Sequence, residues 1–143
     1  MRSGTVLSLQ LCPGHRKAMV PVESAVAIEN LGFERDMHAV ADSTRQVLLI
    51  DMETLEEFGL GIADVKENVT TRGIVLSDLR RGQRLFVGAE AILEIMKPCA
   101  PCSRMDELRP GLRAAIDGRR GMLARVVRGG VIRRGDTITS TTP

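Results

Sequence analysis

Two cysteines lie in a proline-rich stretch, Pro98-Cys99-Ala100-Pro101-Cys102. Proline donates no hydrogen bond to a sheet and restricts the residue before it, so the chain must leave the preceding strand here and present the thiols on a loop. Residues 103–108 could form a helical turn, which would put Cys102 at its N-terminus, where free backbone N–H groups favour a thiolate. Lys97 and Arg104 would act in the same direction. A thiolate attacks sulfur, accepts a sulfur atom or binds a soft metal, and we expect this chemistry of the turn.

The C-x-x-C spacing also fits a thiol–disulfide couple or half of a zinc site. A structural zinc would need two further ligands, and outside the turn only Cys12, His15 and His38 offer sulfur or nitrogen. We therefore expect no tightly bound zinc. A dithiol couple normally opens a helix in a βαβ unit, which this strand-rich sequence does not supply, but a redox role stays an alternative. Cys12 ends an apolar stretch and is interpreted as a small buried hydrophobe.

Asp36 and His38 are two residues apart, so on an extended segment both side chains would point to the same side. Such a pair could form a carboxylate-oriented imidazole close to the thiol, the arrangement that a catalytic or ligand-binding histidine needs. The structural alternative is an Asp that caps a turn and a His whose hydrogen bonds go to the backbone.

The composition describes one domain that spans residues 1–143. Of these 143 residues 43% are hydrophobic, enough to bury a core. A formal net charge of +2, and three Phe without Trp or Tyr, argue against nucleic acid as a partner, because basic tails and stacking surfaces are missing. No window reaches the roughly 18 apolar residues of a membrane span, and the few cysteines do not suit a stapled secreted scaffold. We therefore expect a cytoplasmic protein that does not bind membranes.

Apolar residues come in short bursts between Gly, Pro or charged clusters, which predicts many short strands rather than long helices. The predicted strands are Thr5 to Leu11, Ser24 to Glu29, Gln46 to Asp51, Arg84 to Val87, Ala91 to Met96, Leu123 to Arg128 and Thr137 to Thr139. Helices are expected at residues 51–58 and at residues 110–117, the second with Pro110 in its first turn. Gly129 and Gly130 give the clearest hairpin signal. The fold expected is mainly β, a single closed or nearly closed β-barrel with a few short helices at its rim.

Four stretches form an ordered set along nearly the whole chain. They are Gly32-Phe33-Glu34-Arg35-Asp36-Met37-His38, Arg45-Gln46-Val47-Leu48-Leu49-Ile50-Asp51, Glu67-Asn68-Val69-Thr70-Thr71-Arg72-Gly73-Ile74, and the turn from Pro98 to Cys102. Each stretch alone is weak evidence for a family, but the order and spacing of all four make the combination specific. In all four the chain resembles the MOSC domain family, the domain found at the C-terminus of molybdenum cofactor sulfurases and as small bacterial proteins.

The resemblance implies a β-barrel of the kind found in pyruvate kinase, with the molybdenum cofactor, a molybdopterin, as its ligand. It places Cys102 on the family's cysteine, which is held to bind the metal or to carry sulfur as a persulfide. Cys99 stands where Arg is common and would put a second thiol within reach of Cys102, so that an intermediate could resolve as a disulfide. Lys66 precedes Glu67 where the family often has Gly. The candidate catalytic residues are Cys102, Cys99, Asp36 and His38, with Cys102 also the candidate metal ligand.

Basic residues flank the matched stretches. A pterin phosphate requires Arg and Lys side chains with loop amides, and the soft metal requires a thiolate. A solvated surface is the ordinary explanation for any one of these residues, but we expect two or three of the group to contact ligand. Glu67 and Asn68 either fix loop amides or, in the case of Asn68, meet the pterin. The candidate cofactor-binding residues are Arg35, Arg45, Lys66, Glu67, Asn68, Arg72 and Arg104.

The resemblance thus implies a cofactor-binding protein that acts in cofactor sulfuration or as the molybdenum component of a reductase of N-hydroxylated compounds. The three cysteines do not form an iron–sulfur set and no G-x-G-x-x-G loop is present, so a cysteine desulfurase or a separate reductase is the implied partner. Pyridoxal phosphate belongs to a different domain of the sulfurases and is not expected here. The alternatives are a non-catalytic interaction module that docks onto molybdoenzymes and a C-x-x-C dithiol redox protein.

Overall fold

A computed structural model describes residues 2–142 of the chain, which form a mainly β structure. Its strands are β1 (Arg2–Leu11), β2 (Val20–Val22), β3 (Ser24–Ile28), β4 (Gly32–Phe33), β5 (Val47–Asp51), β6 (Val69–Arg72), β7 (Arg84–Val87), β8 (Ala91–Pro98), β9 (Met122–Arg128), β10 (Gly130–Arg133) and β11 (Thr137–Ser140). Its helices are α1 (Met52–Glu57), α2 (Ser103–Leu108) and α3 (Leu112–Ala115). All seven predicted strands coincide with observed ones to within three residues at their ends.

Within residues 2–142, seven strands close a barrel in the order β11-β7-β8-β9-β5-β6-β1, and pairing of β1 with β11 completes the ring. Strand β2 extends this sheet beyond β1, while β10, β3 and β4 form a separate small sheet. Strands β5 and β6 run parallel, and the neighbouring pair β5–β9 is antiparallel. The expected closed β-barrel with short helices is confirmed.

Strand β5 is buried along its whole length because its two faces meet different apolar clusters. Leu49 lies in the barrel core, whereas Ile50 packs against a cluster formed mainly by the helices. Leu48 belongs to a third, small cluster with Cys99 and Leu123. Burial of one such leucine side chain stabilises the fold by about 1.5–3 kcal/mol. The third cluster therefore fixes the beginning of the cysteine turn against the outer side of β5.

Helices α1 and α2 begin at the predicted positions. The Asp51 carboxylate caps α1 by accepting a hydrogen bond from the Thr54 N–H at 3.0 Å, and α2 begins directly after Cys102. The prediction for α3 is wrong at its start, because Gly111 precedes the helix with a φ of 86° and leaves Pro110 outside the first turn. None of the helices within residues 2–142 is long and apolar enough to cross a membrane.

The hairpin predicted at Gly129 and Gly130 is wrong. Strand β10 pairs antiparallel with β3, where Val131 lies opposite Val26, and not with the preceding strand β9. A Cβ at Gly129 would lie 2.7 Å from a carbonyl oxygen of β3, so this position needs glycine for a close approach of two backbones. The glycine pair therefore marks the point where the chain passes from the barrel to the small sheet.

Gly121→Ala should destabilise the barrel more than Gly118→Ala. Gly121 has a φ of 113° and its added Cβ would lie 2.7 Å from the Leu49 carbonyl oxygen, whereas Gly118 has a φ of 83° and faces open space. Left-handed backbone costs a non-glycine residue about 1–2 kcal/mol, and overpacking adds about 1–3 kcal/mol. Chemical denaturation should therefore give Gly121→Ala a free energy of unfolding about 1 kcal/mol or more below that of Gly118→Ala. Equal losses would contradict the close approach of β5 to Gly121.

Candidate functional site

A pocket with a volume of about 90 Å³ lies beside β5. We name it the His38 pocket, and its lining residues are His38, Arg45, Leu48, Lys66, Asn68, Cys99, Arg120 and Leu123. Two of the lining residues, Leu48 and Leu123, belong to the barrel strands β5 and β9. The other lining side chains belong to the segments that connect the strands. The geometry of the pocket therefore depends on the hydrogen bonds that hold those loops.

Cys99 contributes the thiol of the pocket. It is only 4% exposed and packs in the small cluster with Leu48 and Leu123, which also line the pocket. Its backbone N–H donates a hydrogen bond to the Gly121 carbonyl oxygen at 2.8 Å, which joins the cysteine turn to the segment before β9. Cys102 is exposed at the start of α2 and is not a lining residue. The structure thus brings Cys99 into the pocket and leaves Cys102 at the surface.

The buried Asp36 carboxylate organises the loops behind the pocket. It accepts hydrogen bonds from the Cys12 N–H at 2.6 Å, from the His38 N–H at 3.0 Å and from Asn68 Nδ2 at 3.0 Å. His38 Nδ1 lies 3.1 Å from the same carboxylate. Burial alone would raise the pKa of Asp36, but the hydrogen bonds from His38 and Cys12 outweigh it and hold this pKa below the ordinary 3.8.

The Asp36 carboxylate orients the His38 ring, which is the first of the two interpretations that the sequence allowed for this pair. The two residues lie in a turn and not on an extended segment, since the Asp36 N–H bonds to the Phe33 carbonyl oxygen and the Ala39 N–H to that of Asp36. With Nδ1 directed at the carboxylate, Nε2 is the ring nitrogen left for any further contact of this pocket-lining residue. The His38 side chain is 40% exposed, so the pocket is accessible from solvent.

Asn68 links three parts of the chain. Its Oδ1 accepts a hydrogen bond from the Leu48 N–H at 3.0 Å, and its Nδ2 donates to the Gln10 carbonyl oxygen at 3.2 Å as well as to Asp36. The side chain is 1% exposed and also lines the pocket. Asn68 therefore fixes backbone groups, the first of the two roles considered for it, from a position that is open to the second.

Glu67 holds the loop before β6. Its Oε2 accepts hydrogen bonds from the Ala63 N–H at 2.9 Å and from the Thr70 hydroxyl at 2.7 Å. Burial raises the pKa of Glu67, although these bonds and the charge of Arg120 act in the opposite direction. Glu67 is not a lining residue of the pocket, so its contacts are those of a residue that fixes loop structure.

Lys66 adopts a left-handed backbone conformation, with a φ of 65°. This conformation favours glycine, which explains why a Gly at this position is common in the family that the sequence resembles. Lys66 Nζ donates to the Lys17 carbonyl oxygen at 2.7 Å and lines the pocket.

The other basic candidates divide between the pocket and the surface. Arg45 is exposed and lines the pocket. Arg72 does not line the pocket and forms an ion pair with Glu56, with 2.6 Å between Nη2 and Oε1. Arg35 is exposed, and Arg104 is half-buried with no hydrogen-bond partner for its Nε among residues 2–142. Neither of these two residues lines the pocket.

Sequence reasoning misses Arg120. This residue is 6% exposed, lines the pocket, and has no hydrogen-bond partner for Nε or Nη1 within the described part of the chain. The adjacent Arg119 bonds to Glu57 at 2.5 Å and lies over the Phe58 ring, 5.5 Å from its centroid. The sequence contains two consecutive arginines, and no local pattern indicates that only the second is buried.

The structure therefore defines a β-barrel domain with an outer pocket that holds a thiol and several cations. The MOSC domain family matches residues 31–139, and the chain belongs to this family. The family is associated with binding or sulfuration of the molybdenum cofactor. A search of curated proteins finds no match to the chain.

Solved structures show the same fold. YuaD from Bacillus subtilis has a TM-score of 0.82 at 18% identity, over 99% of this chain and 97% of YuaD. YiiM from Geobacillus stearothermophilus has a TM-score of 0.75 at 20% identity, over 97% of this chain and 75% of YiiM. YiiM from Escherichia coli has a TM-score of 0.71 at 18% identity, over 100% of this chain and 71% of YiiM. The barrel is thus shared by proteins whose sequences have largely diverged.

Asp36→Asn should destabilise the protein in a pH-dependent way. Hydrogen bonds to a charged group contribute about 1.5–3 kcal/mol each, and the amide can replace only part of them. Since the folded-state pKa of Asp36 lies below its usual value, this stability is fully present above about pH 5 and is lost as pH falls through the folded-state pKa. The difference in unfolding free energy between wild type and variant should therefore be about 2–3 kcal/mol at pH 6 and shrink below pH 4.

The matched control is Asp42→Asn. Asp42 is exposed and accepts a hydrogen bond from Asn30 Nδ2 at 2.7 Å, so its loss should be small at every pH. Denaturation of all three proteins between pH 3 and pH 7 makes the comparison. A penalty for Asp36→Asn that stays constant down to pH 3 would exclude the ionised carboxylate as the organising group.

Proposed function

We propose that this MOSC domain binds the molybdenum cofactor in the His38 pocket and takes part in its sulfuration through the cysteine turn. The observation that carries the proposal is the composition of one pocket. It combines the Cys99 thiol with the basic side chains of Arg45, Lys66 and Arg120. A pocket that needed only to recognise an apolar or neutral molecule would not require this combination.

The donor set fits the chemical groups of the cofactor. Its phosphate requires Arg, Lys and amide N–H donors, and its soft metal requires sulfur. Asn68 and His38 add hydrogen-bonding groups for the polar ring system. When bound, the cofactor would supply a metal centre that can change its oxidation state and carry a sulfur ligand. The chain itself contributes charge, orientation and a thiol.

The two thiols of the turn differ in access. Cys102 is exposed, so a protein partner can reach it, whereas Cys99 is buried and faces the pocket. By the family resemblance, Cys102 is the residue that binds the metal or accepts sulfur.

In the sulfuration reaction, the Cys102 thiolate attacks the outer sulfur of a cysteine persulfide on a desulfurase. The sulfur–sulfur bond of the donor then breaks, the donor leaves as a thiolate, and Cys102 holds the sulfur as a persulfide.

Cys102→Ser should lower bound molybdenum by about tenfold or more, because even indirect changes at metal sites cost about 10–100-fold in affinity. The protein is incubated with a cofactor-loaded carrier protein, and metal and pterin are then measured. Pterin should fall less than molybdenum, because the basic residues that would hold the phosphate are unchanged. Cys99→Ser is measured beside it, since it removes the thiol that lines the pocket and leaves Cys102 in place. Equal molybdenum on wild type and Cys102→Ser would defeat the assignment, and a loss confined to Cys99→Ser would move the ligand to the pocket thiol.

Incubation with a cysteine desulfurase and free cysteine tests the sulfur-accepting role. Intact-protein mass spectrometry should show the gain of one sulfur atom on wild type and on Cys99→Ser, and none on Cys102→Ser. The exposed position of Cys102 is the physical reason for this expectation. Cofactor retention without any sulfur gain would favour the other version of the proposal, in which the domain is the molybdenum component of a reductase and obtains electrons from a separate protein.

The same variants separate the rival functions. A non-catalytic module that docks onto molybdoenzymes would keep its binding after loss of both Cys99 and Cys102. A dithiol redox protein would lose its function as completely in Cys99→Ala as in Cys102→Ala. Either result would replace cofactor binding as the function of the pocket.

A further inference from the structure

Arg120 combines deep burial with missing partners. The residue is 6% exposed, and neither Nε nor Nη1 has a hydrogen-bond partner among residues 2–142. Removing a guanidinium from water is costly unless it is paired and hydrogen-bonded, and buried arginines are normally satisfied in this way. The carboxylate of Glu67 acts on Arg120 only through space, since its oxygens bond elsewhere or stay unpaired. Arg120 is therefore a buried cation with two donor nitrogens, Nε and Nη1, that no group among the described residues satisfies.

The surroundings of Arg120 favour an anion. Arg45 and Lys66 line the same pocket, and none of its lining side chains within residues 2–142 is a carboxylate. The Asp36 carboxylate contacts His38, but its oxygens are already occupied by donors from three residues. Like-signed groups around one small volume attract a ligand of opposite charge, and the attraction is strong where water is excluded.

The chemistry of the guanidinium selects the kind of anion. Its planar set of N–H donors matches two oxygens of a phosphate or similar group, and arginine binds such groups more specifically than lysine does. Arg45 and Lys66 bring further N–H donors to the same pocket, whereas both N–H groups of Asn68 Nδ2 are already used by the Gln10 carbonyl oxygen and by Asp36. A tetrahedral oxyanion satisfies more of these groups than a halide or a planar carboxylate would.

We infer that Arg120 is the principal binding residue of the His38 pocket for a tetrahedral oxyanion. The oxyanion is either the phosphate monoester of the cofactor, in which case the inference rests on the proposed function, or a free inorganic anion. Arg45 and Lys66 strengthen the interaction from more exposed positions, where solvent screens their charges.

Titration with inorganic phosphate, followed by calorimetry at low ionic strength, tests the inference without the cofactor. Arg120→Gln should weaken phosphate binding by about tenfold or more, because it removes a charge-assisted and desolvated interaction. Arg119→Gln is the matched control, since it removes the same charge from the next residue, which pairs with Glu57 outside the pocket. Its phosphate affinity should stay within about twofold of wild type, as expected for an exposed charge. Equal affinity of wild type and Arg120→Gln would overturn the inference.

A second measurement does not depend on the folding of Arg120→Gln. Phosphate titrated into isotope-labelled wild-type protein should shift the Arg120 Nε–H and Asn68 side-chain resonances together. The same titration with molybdate tests a free inorganic anion of similar shape. Shifts restricted to exposed lysines and arginines would indicate only a general surface attraction and would refute a specific role for Arg120.

Cofactor retention by the same variants identifies the source of the oxyanion. If Arg120→Gln loses both phosphate and cofactor, the site takes the phosphate monoester. If it loses phosphate binding and retains the cofactor as wild type does, the site takes a free anion. If wild type binds phosphate through Arg120 but never retains cofactor, the proposed function fails while the role of Arg120 stands.

Discussion

The carboxylate of Asp36 connects three segments that are distant in sequence. Through it, the end of β1 at Cys12, the turn at His38 and the loop before β6 at Asn68 share one buried acceptor. An ionised group can remain buried only where donors replace its water, and here donors from the three segments do so. The positions of His38 and Asn68 in the pocket, and the accessible nitrogen of the imidazole, follow from this single charge.

Strand β5 is the second feature, after the Asp36 carboxylate, that fixes the positions of the pocket residues. Its alternation sends Leu49 into the barrel and Leu48 outward, where Leu48 meets Cys99 and Leu123. The backbone N–H of Leu48 bonds to Asn68, so the same residue packs against the thiol and holds the polar side of the pocket. The left-handed Lys66 then brings a cation to this site at a cost in backbone energy. Pocket and barrel are therefore not independent parts of the structure.

Local patterns predict six of the seven barrel strands, all except β6, because alternation and Gly or Pro boundaries are properties of neighbouring residues. They do not predict which strands pair, since pairing depends on the closed topology. Gly129 and Gly130 consequently look like a hairpin turn, although β10 joins β3 instead. The short strands β2 and β4 have too few residues for any periodicity. The Asp36–His38 pair is visible in the sequence, whereas Arg120 is not, because burial of one of two adjacent arginines is decided by tertiary packing.

Cys99 and Cys102 look equivalent in a C-x-x-C sequence, but the fold separates their environments. Proline and the small apolar cluster hold Cys99 against β5, and the start of α2 turns Cys102 toward solvent. A molecule within the pocket meets the first thiol, and a macromolecule at the surface meets the second. A reaction that used both thiols would therefore have to connect the pocket with the surface across this short turn. The turn thus places one thiol in a pocket whose cations include the buried Arg120, and the other thiol at the surface.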